Sequence, residues 1–155
     1  MEAVYKAEIP LYQGHPERLI QGHGDYHLKN IYVGQDNINR RDTLYIAAID
    51  FGSSLCLPPA FDVGTFLAQF RNQLLDYPEL LQHIPEDVFL DAYTRAADEM
   101  NGGFFNEVEL FRARTDLSIA SFLIKVGLGE SENLWRVLVE AEGALAQFES
   151  ARRYK

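Results

Sequence analysis

Hydrophobic and polar positions change rhythm once along the chain. Up to residue 50 the apolar positions gather in two short extended runs, "NIYVG" at 30–34 and "TLYIAAID" at 43–50, separated by the polar tract "QDNINRRD" at 35–42. Short apolar runs bounded by polar breakers read as strands, and a polar tract joining two of them reads as the loop of a β-hairpin. This tract is longer than a tight hairpin needs, so a surface loop is expected there. From Pro58 onward the spacing turns helical and predicts helices over roughly 61–76, 86–99, 106–127 and 131–150. In "DVGTFLAQFRNQLLD" the residues Val63, Phe66, Leu67, Phe70 and Leu74 fall on one stripe. "PEDVFLDAYTRAADE" places acidic residues in its first turn, as the helix dipole favours. "MNGGFFNE" at 100–107 and "VGLGESEN" at 126–133 break the pattern, the latter with Ser131 or Glu132 at a helix start. Ahead of residue 23, "IPLYQGHPERLIQGHGD" is interrupted by Pro10, Gly14 and Pro16, which predicts no helix there. The class expected is α+β and mostly helical, one domain over 1–155 with a small hairpin ahead of a helical subdomain.

Composition narrows the function classes. A chain of 155 residues with 47% apolar residues can bury one sizeable core. It has no run of about 18 apolar residues, and "MEAVYKAEIP" carries charges where a signal peptide needs an apolar stretch, so a cytoplasmic protein without a membrane partner is expected. A formal net charge of -9 with no basic patch argues against nucleic acid. The single cysteine, Cys56, agrees with a reducing compartment, and its flanks "SLCLPP" predict a small buried side chain.

Against this background "HGDYHLKN" at 23–30 is unusual, with two histidines, an aspartate and an asparagine in eight positions. His23, Asp25 and His27 alternate and on a strand would share a face, a donor set suited to zinc or iron. The glycine at 24 suits an irregular loop better, and only His83 follows downstream to complete a set. Taken singly, Asp25 could be a turn residue, Asn30 a cap and Asp50 a strand-end carboxylate. Taken together they recur in order: a histidine, glycine and aspartate, four residues, an asparagine, and twenty positions later "DFG" with Asp50 at the end of an apolar strand. This is the layout of a kinase-type phosphoryl-transfer site. A third marker follows, the Pro-containing "LPPAFDVGTFLAQF" leading to Asp62 at the start of a helix.

On these three motifs the chain resembles the aminoglycoside phosphotransferase and choline kinase family, within the protein-kinase-like superfamily. The match is to its H-G-D-x-x-x-x-N form and covers 18 to about 75 closely. The resemblance implies a catalytic C-terminal lobe that transfers the γ-phosphate of ATP, or of another nucleoside triphosphate, with Mg²⁺, to a hydroxyl of a small acceptor. Asp25 would orient and deprotonate that hydroxyl, and Asp50 and Asn30 would bind the metal and its nucleotide, since Mg²⁺ prefers carboxylate and amide oxygens. His23 and Asp62 would support the loop, Asp62 by hydrogen bonds to its backbone, and Gly24 and Gly52 would permit sharp backbone turns. Lys29 falls in the variable part of the motif.

The family's nucleotide-covering lobe has no counterpart among these residues. The chain is therefore expected to be the catalytic lobe alone, inactive by itself, needing that lobe in cis or in trans or else covering its exposed surface by homo-oligomerisation. An acidic lobe would attract a cationic acceptor such as an aminoglycoside or a choline-like amine, with a sugar as the further possibility. Asp91, Asp98, Glu99, Glu107, Glu109 and Asp116 are the carboxylates available for it, each more simply read as part of a solvated face. Trp135, Phe104, Phe105 and Tyr93 could line an amine pocket, although their helical spacing suits a core. The alternative of a different class is a kinase-like domain without catalysis that binds a ligand or partner.

Overall fold

The computed structural model describes residues 1–97 and 103–153. It is mostly helical with two small antiparallel sheets. Helix α1 (Glu2–Gln13) leads to strand β1 (Ile20–Gly22), and strands β2 (Ile31–Gln35) and β3 (Leu44–Ala48) form the expected hairpin with Val33 opposite Ile46. A short strand β4 (Leu55–Leu57) returns to pair with β1, Gln21 opposite Cys56. Helices α2 (Ala60–Gln73), α3 (Pro78–His83), α4 (Glu86–Ala96), α5 (Phe104–Lys125) and α6 (Glu132–Arg153) complete the chain. No helix of the described residues is long and apolar enough to cross a membrane.

The core lies where α2 crosses α5. The predicted stripe is the buried one: Val63, Phe66, Leu67 and Phe70 are all buried, packed with Phe61, Val108 and Phe111. Gly64 lets the two helices approach, because a Cβ there would lie 2.7 Å from both the Val108 carbonyl oxygen and the Phe111 Cβ. A buried Thr65–Thr115 hydroxyl pair at 3.2 Å satisfies the polar atoms between them. α6 closes the far side through Leu134 and Val137 against Ile119, Ala120 and Leu123. Its first turn is capped by Ser131, whose Oγ accepts the Leu134 N–H at 3.2 Å.

Three expectations need correction. A helix does precede the 23–30 loop: α1 runs through Pro10 and stops at Gly14. Proline removes one backbone bond, but Val4 and Glu8, one turn apart, are buried. Val4 packs with Leu110 and Phe148, and Glu8 Oε1 lies 3.1 Å from Arg114 Nε. Tertiary contacts therefore outweigh the local penalty. Cys56 is exposed, because β4 turns only Leu57 inward. Nor is everything after the hairpin helical, since β4 intervenes; α2 also ends at Gln73, with the short α3 beginning at Pro78.

Among the carboxylates singled out on the helices, Asp91 is exposed, Glu109 is half-buried and Asp116 is buried. Asp98 and Glu99 lie outside the described residues, as does part of the 100–107 breaker. Tyr93 and Phe104 stack in the core at 5.4 Å, whereas Trp135 and Phe105 are exposed.

Candidate functional site

The 23–30 loop leaves β1 and enters β2, and two segments, α2 and residues 49–54, hold it and the strand before it. The Asp62 carboxylate, at the first turn of α2, accepts the backbone N–H of His23 at 2.6 Å and of Gly24 at 2.9 Å, one on each oxygen. His23 Nε2 donates to the Ile49 carbonyl at 2.8 Å, and its Nδ1 accepts the Asp25 N–H at 3.3 Å, so the carbonyl fixes which nitrogen carries the proton. The Ile49 N–H in turn donates to the Asn30 carbonyl at 3.0 Å. Ser54 Oγ donates to the Gly22 carbonyl at 2.5 Å and accepts from Gln21 Nε2. The loop is thereby tied to residues 49–54 and to α2, which brings Asp25 and Asn30 beside the segment that carries Asp50.

Gly24 has φ +83°, and a Cβ there would sit 2.1 Å from the Ser53 carbonyl oxygen, so only glycine fits. Gly52 was expected to serve a similar turn and does not: its φ lies outside the left-handed region, and an added Cβ would meet only Asp50 Oδ1, at 3.4 Å. The left-handed residue is Asp50 itself, at φ 61° and ψ 60°, the one non-glycine residue with positive φ among those described. Aspartate tolerates this region better than most side chains, yet it remains an uncommon state that surrounding structure must impose. Its carboxylate is exposed, and no described side chain or backbone N–H bonds to it.

Within the loop, Asn30 is buried and its Nδ2 donates to the Asp25 carbonyl at 2.9 Å, which leaves Oδ1 without a partner among the described residues. His27 Nδ1 accepts the Lys29 N–H at 3.2 Å, so Nε2 is its N–H and faces Asp25 Oδ2 at 3.5 Å. The Asp25 carboxylate is half exposed, at 49%. The Phe51 ring lies 4.7 Å from the His23 ring, and Tyr26 continues the aromatic contact to Phe66. Burial first, and then the Asp62 carboxylate, push the Tyr26 hydroxyl above the usual tyrosine range.

No group of three or more His, Cys, Asp or Glu side chains able to hold a metal gathers among the described residues. That leaves no place for the zinc- or iron-type cluster at His23, Asp25 and His27. A Mg²⁺ site of the kind the resemblance implies has other needs, namely a carboxylate, an amide oxygen, water and the phosphates. Asp50 and the free Oδ1 of Asn30 are hard oxygen donors of that type, and they fit.

Sequence reasoning missed two parts of this neighbourhood. Ser54, which ties β1 to the turn after β3, gives no signal beyond being a serine next to "DFGS". The amides Gln69, Asn72 and Gln73, spaced i, i+3 and i+4 on an otherwise apolar helix, form a polar row that helical periodicity could have found. With His27, Lys29 and Ser118 they line a cleft of about 340 Å³ between the loop, α2 and α5. Comparisons with protein-family models, with curated proteins and with solved structures find no match to this chain.

Proposed function

We propose that this chain is the catalytic lobe of a Mg²⁺- and ATP-dependent phosphotransferase acting on a hydroxyl of a small molecule, with a protein-kinase-like arrangement. The observation that supports it most is Asp50, held in a left-handed backbone state at the end of a strand, its carboxylate free, beside a loop that offers a second free oxygen at Asn30. A polar turn at the surface has no need of that strain, whereas a metal-bridging carboxylate has to be aimed. Bound Mg²⁺ would neutralise the phosphates and align the transferred group. Asp25 would accept a hydrogen bond from the acceptor hydroxyl and take its proton, with His27 Nε2–H fixing the orientation of the carboxylate. Asp62, through the His23 and Gly24 amides, would keep the loop in register. Strands covering the nucleotide would come from outside these residues, in the same polypeptide or in another.

Mn²⁺ in place of Mg²⁺ tests the metal half directly. With ATP added, its paramagnetism should broaden the backbone amide signals of Asp50, Phe51 and Asn30 before others, and Asp50→Asn should abolish the effect. Asp25→Asn should leave the broadening unchanged while removing most turnover in a protein that supplies the covering lobe. Broadening elsewhere, or none, would overturn the assignment.

A further inference from the structure

The cleft between the 23–30 loop, α2 and α5 has a chemistry of its own. Its walls are the amides of Gln69, Asn72 and Gln73, the Ser118 hydroxyl, the His27 imidazole and the Lys29 ammonium stem, with Ile119 and Phe122 at one side. No carboxylate among the described residues lines it, in a chain whose net charge is -9. The one full charge at its rim is positive.

Two of the amides are poorly satisfied. Asn72 Oδ1 and Gln73 Oε1 are closed off from solvent and have no hydrogen-bond partner among the described residues, and Gln73 Nε2 reaches Gln69 Oε1 only at 3.4 Å. A buried amide oxygen without a donor is unfavourable, and native structures avoid it. The terminal torsion of asparagine and glutamine is broad, so either amide can turn its oxygen into the cleft if a donor waits there. Amide groups present both donors and acceptors, matching hydroxyls, which do the same. A cationic ligand, whether an ammonium with donors only or a quaternary amine with none, would sit against Lys29 with no lining carboxylate to balance it. The volume, about 340 Å³, lies at the small end for metabolite sites.

We propose that this cleft seats the phosphate acceptor and that the acceptor is a neutral polyhydroxyl compound of sugar or polyol size. The word acceptor rests on the phosphotransferase reading; the binding does not. His27 borders the cleft on one side and Asp25 on the other, its Nε2 lying 3.5 Å from Asp25 Oδ2. One hydroxyl of a bound polyol would extend past the imidazole toward that carboxylate.

The side-chain NH₂ signals of Gln69, Asn72 and Gln73 in the full chain provide the readout, with myo-inositol and D-glucose as neutral probes and choline and kanamycin as cationic ones. At least one neutral probe should shift these signals saturably, and neither cation should. Asn72→Leu and Gln73→Leu should each weaken that binding by about tenfold, the loss of one well-formed hydrogen bond. If either variant unfolds, Lys29→Glu on the exposed loop serves instead, and choline should then begin to bind. Shifts by choline or kanamycin in the unaltered chain, equal binding of both classes, or none at these amides would overturn the proposal. A failure of the phosphotransferase reading looks different: Mn²⁺ and ATP would leave Asn30 and Asp50 untouched while the amide shifts persist.

Discussion

Asp62 shows how much one side chain can decide. Its two oxygens each satisfy a backbone N–H that the turn at Gly24 leaves without a strand partner. Charge-assisted bonds of this kind contribute about 1.5 to 3 kcal/mol each when their removal strands a donor. Asp62→Ala is therefore expected to lower stability by roughly 2 to 4 kcal/mol, a drop of several degrees in melting temperature. Asp62→Asn, which keeps one acceptor, should fall between. A melting temperature unchanged in Asp62→Ala would mean that water replaces the carboxylate. The bracing of the loop by Asp62 and the tight turn at Gly24 were readable because type and spacing carry them, as in "HGDYHLKN" and "LPPAFD". Ser54 and the Asp50 backbone were not, since a hydroxyl's partner and a positive φ at a non-glycine residue depend on where other segments lie. The role given to Gly52 failed for the same reason: the unusual turn fell two residues earlier.

At the scale of elements, the hairpin and the α2 stripe follow from periodicity because each meets one apolar surface and so keeps one period. α1 escaped because Pro10 signals a break that the contacts of Val4 and Glu8 override. Pro10→Ala restores a helix donor and should stabilise the chain by about 1 to 3 kcal/mol in chemical denaturation, less whatever proline contributes by stiffening the unfolded chain. A loss of stability would show that the proline is needed where it stands.

Asp116 escaped for the opposite reason, because a carboxylate on a long helix reads as solvated. It is 3% exposed, with Oδ1 unpaired among the described residues, and lies beside an ion-pair network joining α2, α4, α5 and α6. Arg71 and Arg112 share Glu86 at 2.7 and 3.2 Å, Arg112 also meets Glu109 at 3.2 Å, and Arg71 faces Glu140 at 3.9 Å. Burial, then Glu140, push Asp116 up to about 7, against the pull of Arg112, Arg71 and Arg136. The folded protein thus holds a proton that the unfolded chain releases near pH 4. The resulting stabilisation is complete below pH 4, declines as pH rises and is gone above about 7. Asp116→Asn should flatten this part of the profile and raise stability at pH 8 relative to the parent, measured by urea denaturation at pH 5 and pH 8.

For the whole molecule, the distribution of apolar surface matters most. Val33 and Ile46, paired across the hairpin, are 68% and 72% exposed, and Phe51 is 57% exposed at the neighbouring turn. A two-stranded hairpin with so little cover is marginal by itself, and its outer edges can pair with another chain. The chain is expected to self-associate, seen as a concentration-dependent sedimentation coefficient, and Val33→Glu with Ile46→Lys should return it to a monomer. Monodisperse behaviour of the parent at high concentration, without binding of an apolar dye, would contradict this.

The tie between Asp62 and the loop has a further consequence, in hydrogen exchange. The His23 and Gly24 amides belong by position to a loop but by bonding to the first turn of α2, where Ala60, Phe61 and Val63 are buried. Their protons should exchange only when that helix opens, at rates close to those of Leu67, while the amides of β2 and β3 exchange through local fraying. The loop would then have the kinetic lifetime of the core, and Asp62→Ala would be the change that returns these two protons to the timescale of the surface.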